Sequence, residues 1–355
     1  MWPPVCPRLV LLLTLSGLMA ACRAPTDKRF DFASGAPSRA GLVALADSVL
    51  VSNEAGRLVR LDRQGRTRWS VVLEREIASP PTVSGDSVVV GTVGGTLVSL
   101  TLAQGTERWR LTEQPAVLTP LVSDADLLYV VAPDGAVRCL TLVSGELRWR
   151  RALPPGAPLP DPQRPLPSPV LAGDLLVVAL GDAGLFALSA EEGTLRWHLP
   201  LKQVLGMTAR GDEALYVSTR AGEVLALALA TGRPRWRHTE PAPLTSPPSL
   251  ARDQLWVGTS EPALLALSLE EGREVSRLPL PAPLVTRVAQ YQDQVWVPTR
   301  GGEGWLLALG PGQTPPLRLR LDTALPTQPV IVGDQVFIQG QDGRVLSWRL
   351  QPPRP

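Results

Sequence analysis

Between residues 79 and 111 the chain reads as four short apolar runs separated by turn residues. SPPTV (79–83) ends at Gly85-Asp86, and SVVVG (87–91), rich in β-branched residues, is closed by Gly94-Gly95. TLVSLTL (96–102) then alternates apolar and polar positions, and Gly105 turns the chain into RWRL (108–111). A period of two puts successive side chains on opposite faces of a pleated strand, and paired glycines supply the positive φ of a tight hairpin. The pattern predicts four antiparallel strands. No stretch between 40 and 350 keeps a helical period with caps at both ends, so no helix is predicted there.

The same layout recurs. An Asp precedes a short apolar run at Asp47, Asp86, Asp126, Asp174, Asp212, Asp253, Asp293 and Asp334, at spacings of 39, 40, 48, 38, 41, 40 and 41 residues. A second marker, Gly-x-x-Arg-Trp, places Trp69, Trp109, Trp149, Trp197 and Trp236 in five of the copies. The Pro-rich insertion at 153–167 accounts for the spacing of 48. Self-similarity at about 40 residues is the signature of a repeat architecture. One four-stranded sheet cannot bury both faces, whereas eight packed around an axis can. The predicted fold is all-β: an eight-bladed β-propeller of four-stranded blades over 28–350, preceded by segments 1–21 and 22–27 and followed by a tail at 351–355.

In RWR (108–110) the Trp points one way and its two arginines the other. The repeated ring is therefore expected to fill the space between blades while the arginines face solvent. The repeated Asp suits a turn residue that bonds its own backbone. Ser276 and Leu317 stand at the Trp position of the sixth and seventh copies, so those two packings should be looser or differently filled. The eighth copy ends after three strands at GRVLSWRL (343–350). KRFDF (28–32) is the strand-like segment left over, and pairing the two would close the ring and remove exposed edges.

Ahead of the repeats, residues 1–8 carry one Arg (Arg8), residues 9–19 form an apolar run of 11, and AAC follows at 20–22. The run is too short for a stable bilayer-spanning helix and suits a secretory signal. Small residues directly before a Cys resemble the lipobox of bacterial lipoproteins, although Met19 replaces the usual Leu. That resemblance implies cleavage before Cys22, acylation of its sulfur and a lipidated tether over 22–27. With Arg23 rather than Asp next, the pattern of enteric lipoproteins implies export to the outer membrane, facing the periplasm. Cys6 would leave with the signal, so Cys139 remains as a small buried residue and no intramolecular disulfide can form. The charges nearly cancel, 35 Lys and Arg against 33 Asp and Glu, without a clustered basic face, so no nucleic-acid partner is expected.

Candidate chemistry is sparse. His198 and His238 follow a repeat Trp by one or two residues and lack a Cys, Glu or His at ligand spacing, so no metal site is expected. No phosphate loop, nucleophile elbow or calcium loop occurs. The acid pairs Glu191-Glu192 and Glu270-Glu271 adjoin turn glycines and read as solvated hairpin charge. No catalytic residue and no cofactor is assigned.

The order Ser/Thr-x-Pro, Gly-Asp, β-rich strand, Leu-x-Ala-Leu, Gly-x-x-x-Trp, as in LFALSAEEGTLRW (185–197) and VLALALATGRPRW (224–236), resembles the repeat of pyrroloquinoline-quinone (PQQ) enzymes. Quinoprotein dehydrogenases of that type are longer. Many hold the quinone against adjacent cysteines with calcium and a catalytic Asp, for which this sequence offers no match. One eight-bladed domain behind a lipoprotein signal resembles instead the BamB family of the outer-membrane barrel assembly machinery. That resemblance implies a scaffold without enzyme activity, whose partner is the membrane-embedded barrel subunit and whose role is to help insert outer-membrane proteins. It also implies partner contacts in loops entering the middle blades. The first loop maps loosely onto LPLKQVLGM (199–207), with Leu201, Lys202 and Leu205 as counterparts. The second maps onto EPAPLTSPP (240–248), where Glu240 is the one nearby acid ahead of Thr245-Ser246-Pro247. A quinone-dependent or other small-molecule enzyme or sensor using the central channel is the alternative.

Propeller geometry adds a face. Turns between first and second and between third and fourth strands share one side of the disc, and here they carry the regular Asp and Gly-Trp markers. The other side holds the variable segments 153–167, 200–207 and 240–248, and variable loops on a rigid scaffold are where recognition concentrates. Partner binding is expected on that side around blades three to six.

Overall fold

A computed structural model describes residues 28–152, 166–300, 304–309, 317–321, 323–325 and 327–350. The signal segment, Cys22 and its tether, most of the 153–167 insertion and the 351–355 tail lie outside the described residues. The strands form eight four-stranded antiparallel sheets. In seven of them the strands follow chain order from the axis outward, as in the second blade: Thr82–Ser84, Ser87–Gly91, Leu97–Thr101 and Glu107–Leu111. First strands of neighbouring blades contact one another around the axis, so the sheets close a ring.

Burial explains why the strand patterns differ. The second strands SVLVS, SVVVG, LLVVA and QVFIQ are buried at every position because a neighbouring blade covers each of their faces. They consequently read as continuous apolar runs rather than alternating ones. Outer strands return to alternation, as in Leu195–Leu199, where Trp197 is buried between exposed neighbours. The core is a chain of inter-blade clusters, such as Val177, Leu185, Trp197, Leu215, Val217 and Leu227 between blades four and five. Each such side chain contributes roughly 1.5–3 kcal/mol by leaving water.

The recurring Gly and Trp prove to be two halves of one joint. Each indole N–H donates to a carbonyl of the next blade: Trp69 to Leu102 (2.9 Å), Trp109 to Leu142 (3.0 Å), Trp149 to Ala190 (3.1 Å), Trp197 to Leu229 (2.8 Å) and Trp236 to Leu269 (2.8 Å). The ring lies on the next copy's turn glycine. A Cβ on Gly105 would come 2.8 Å from the Trp69 ring, and one on Gly272 2.4 Å from that of Trp236. Those glycines also have φ of +70° and +67°, so geometry and ring contact both demand glycine.

The closing strand Lys28–Ala33 pairs antiparallel with Arg344–Arg349, outermost in the eighth blade. It brings its own aromatic. Phe30 lies on Gly65 of the first blade, where an added Cβ would be 2.7 Å from the ring, and packs against Phe337 with centroids 5.7 Å apart. Phe30 thus does for the eighth blade what Trp does elsewhere. Residues 310–316 and the side chain of Leu317 lie outside the described residues, and with them the expectation for the sixth and seventh copies.

Two expectations change. Asp47 and Asp86 bind the arginine before the repeat Trp rather than their own backbone: Arg68 reaches Asp47 at 2.6 Å and Arg108 reaches Asp86 at 2.7 Å. The guanidinium outcompetes the turn amides because a charge-assisted bond is stronger. These arginines are exposed but not free. A 3₁₀ turn, Gly181–Ala183, also interrupts the all-strand reading where blade four passes from second to third strand. Cys139 is buried in the third strand of blade three, and burial pushes its thiol up to about 12.

Candidate protein-binding face and channel mouth

The described connections between blades arrive on one side of the ring and lead into the first strands. There they enclose a cavity of about 730 Å³ at the axis. Counting seven residues back from the repeated Asp gives equivalent positions from Ala40 to Thr327, and the residue after each forms a rim: Gly41, Pro80, Pro120, Ser168, Gly206, Pro247, Arg287 and Gln328 all line this cavity. Arg287 stands where the second, third and sixth copies have proline. Comparison of the repeats could have found it; a search for catalytic motifs could not.

Its guanidinium spans three blades. From blade seven it donates to the Pro248 carbonyl (2.8 Å) in blade six and the Met207 carbonyl (2.6 Å) in blade five. Arg39 and Arg220 also line the cavity, and no Asp, Glu or Cys does so among the described residues. Arg39 is paired with Glu76. Burial without a facing carboxylate pulls Arg287 below the usual guanidinium range.

The four sequence candidates fall on this side but differ in what they present. Leu201 is buried among the blade-four and blade-five core residues. Lys202 beside it is exposed. Leu205 is half-buried and lines the cavity. It belongs to a strand, not a loop: the first strand of blade five begins at Val204 and runs to Arg210, with a register shift at Leu205. The extension forms because Val204 finds a partner in Thr219. Glu240 is 6% exposed and turned inward, where it accepts from both Nη atoms of Arg277 at 2.9 and 2.8 Å. The Arg277 hydrogen bonds hold its carboxyl below the usual range, and Arg277 also grips Glu274. The Thr245-Ser246 segment is stitched inward too: Thr245 donates to the Leu284 carbonyl (2.6 Å) and the Ser246 hydroxyl accepts from the Gly258 amide (2.8 Å). Pro241 and Pro243 are left exposed. Lys202 and the two prolines are therefore exposed, while Leu205 lines the cavity.

The histidines remain apart. His198 stacks on Phe186 at 4.3 Å, and His238 lies 3.7 Å from Glu240. Among the described residues no three His, Cys, Asp or Glu are grouped to hold a metal ion. A calcium-bound quinone of the quinoprotein type needs carboxylate ligands, and the described cavity lining supplies none; these residues do not fit that group.

The family described as outer membrane protein assembly factor BamB matches residues 54–275 and 204–354. No curated protein matches the sequence. Among solved structures, BamB from Moraxella catarrhalis is similar, with a TM-score of 0.75 and 18% identity over 93% of this chain and 99% of that one. Quinohemoprotein alcohol dehydrogenase from Comamonas testosteroni gives a TM-score of 0.75 at 12% identity, covering 94% of this chain and 78% of its own. Sqt1 of Saccharomyces cerevisiae gives 0.77 at 12% identity, covering 92% and 100%. At such identities the structural likeness speaks for the shared propeller alone.

Proposed function

Since the chain belongs to the family of outer membrane protein assembly factor BamB, we propose that it is a non-enzymatic scaffold of the bacterial envelope that binds a barrel-assembly subunit and aids insertion of β-barrel proteins into the outer membrane. Acylation at Cys22 would tether it to that membrane on the periplasmic side. The observation that carries the reading is the family match over nearly the whole propeller. The contrast between the two sides of the ring supports it: regular turns on one, and exposed Lys202, Pro241 and Pro243 with cavity-lining Leu205 on the other. A quinone enzyme would share the fold, but the cavity lining offers no carboxylate to hold its calcium.

Affinity capture of an outer-membrane barrel-assembly subunit tests this. The double substitution Lys202→Glu with Leu205→Ala should weaken capture while leaving the melting temperature unchanged. Substituting Glu191 and Glu270 on the opposite side should not weaken it. Capture that is absent from the unmodified protein, or equally sensitive on both sides, would contradict the proposal.

A further inference from the structure

We propose that the channel mouth binds a small organic anion through its carboxylate groups, with Arg287 as the anchor and Arg220 at the edge. Electrostatics carry the inference. The cavity lining includes three arginines and no acid among the described residues, and only Arg39 of the three has a carboxylate partner. Arg287 spends two N–H donors on neutral carbonyls. A guanidinium has five, so three are unspent. Removing a cation from water without a counter-charge is costly, and an entering carboxylate would offset that cost. The planar fork of an arginine also matches a carboxylate bidentately.

The rest of the wall narrows the ligand class. Leu42, Leu118, Pro120 and Val285 supply apolar surface on which an organic body can rest. Ser79, 2% exposed, lines the same cavity with a hydroxyl that has no partner. About 730 Å³ lies within the usual range for small-molecule sites. A cation or a metal ion would meet repulsion and no ligand. Arg287 stands where three other copies set proline and the remaining four set glycine, serine or glutamine, so it is the one charged residue among the eight equivalent rim positions. The site is separate from the exposed Lys202, Pro241 and Pro243, none of which lines the cavity, and shares only Leu205 with the proposed partner-binding residues.

Calorimetric titration of the full chain in detergent with isophthalate, and with its uncharged diamide, tests the site. Isophthalate should bind saturably, and its affinity should fall as salt rises; the diamide should not bind. Arg287→Gln should weaken binding about tenfold or more, as for loss of a hydrogen bond to a charged group. Arg220→Gln should weaken it by up to about fivefold, as for a more exposed charge, with an unchanged melting temperature of the free protein. If Arg287→Gln does not fold, the Arg220 variant and the salt dependence decide. No binding at millimolar isophthalate, equal binding of the diamide, or an Arg220 variant indistinguishable from the parent would overturn the proposal.

Discussion

Truncating one half-buried ring at the amino-terminal strand should loosen the whole propeller. Phe30 seats on Gly65 of blade one and against Phe337, so it joins the last blade to the first. A fully buried Phe→Ala truncation costs about 3–5 kcal/mol. Phe30 keeps part of its surface in water, which brings the expected cost of Phe30→Ala to about 2 kcal/mol. Asp31 on the same strand pairs with Arg344 at the surface, and Asp31→Ala should cost less than about 1 kcal/mol. Deleting 28–33 removes a strand paired at five positions from Lys28–Trp348 to Ala33–Arg344. At about 1 kcal/mol net for each lost pairing, together with about 2 kcal/mol for the ring, the deletion should cost about 7 kcal/mol. That is a large part of a typical stability of roughly 5–15 kcal/mol. Urea unfolding followed by tryptophan fluorescence measures all three, and the deletion should also aggregate through its bared edge. Equal midpoints for Phe30→Ala and Asp31→Ala, or an undiminished midpoint for the deletion, would refute the closure argument.

Three further outcomes follow from the same joints. Gly272→Ala must accommodate a Cβ 2.4 Å from the Trp236 ring at φ +67°, and should cost about 2 kcal/mol or more, read as a lowered urea midpoint. Arg277→Ala leaves Glu240 buried without its partner and should destabilise by about 2 kcal/mol at pH 7. Because Arg277 holds the Glu240 carboxyl below its usual range, the stabilisation is present above the ordinary carboxylate pKa and is lost on acidification. The gap between parent and variant should therefore close as pH falls below about 4, and a gap that widens there would reverse the sign of the argument. Cys139, with its thiol pushed up to about 12, should resist iodoacetamide in the native protein and react in urea, as mass spectrometry would show.

The repeat was legible because every copy carries an Asp before a buried strand and five of the eight add Gly-x-x-Arg-Trp. Closure was legible because the eighth copy lacks a strand that KRFDF could supply. What a single copy could not reveal is where its Trp goes. Trp69 docks on Gly105 and Trp236 on Gly272, so each marker is meaningful only beside its neighbour's. Phe30 as a stand-in for Trp was hidden for the same reason: its glycine lies 35 residues further on. At the channel mouth, Glu240 looked like a surface acid because Arg277, which turns it inward, belongs to the next blade. Leu205 looked like a loop residue because strand extension depends on Thr219 pairing with Val204. Arg287 carries no signal in its local sequence; its meaning comes from a cavity assembled by all eight copies.

The central claim is that this propeller presents a protein partner with the side bearing its inter-blade connections. Site-specific photocrosslinking in intact cells tests it most directly, with the crosslinker placed in turn at Lys202, Pro241, Glu191 and Glu270. The account predicts adducts with a barrel-assembly subunit from Lys202 and Pro241 and none from Glu191 or Glu270. Adducts from Glu191 and Glu270 alone, or from all four positions alike, would contradict it.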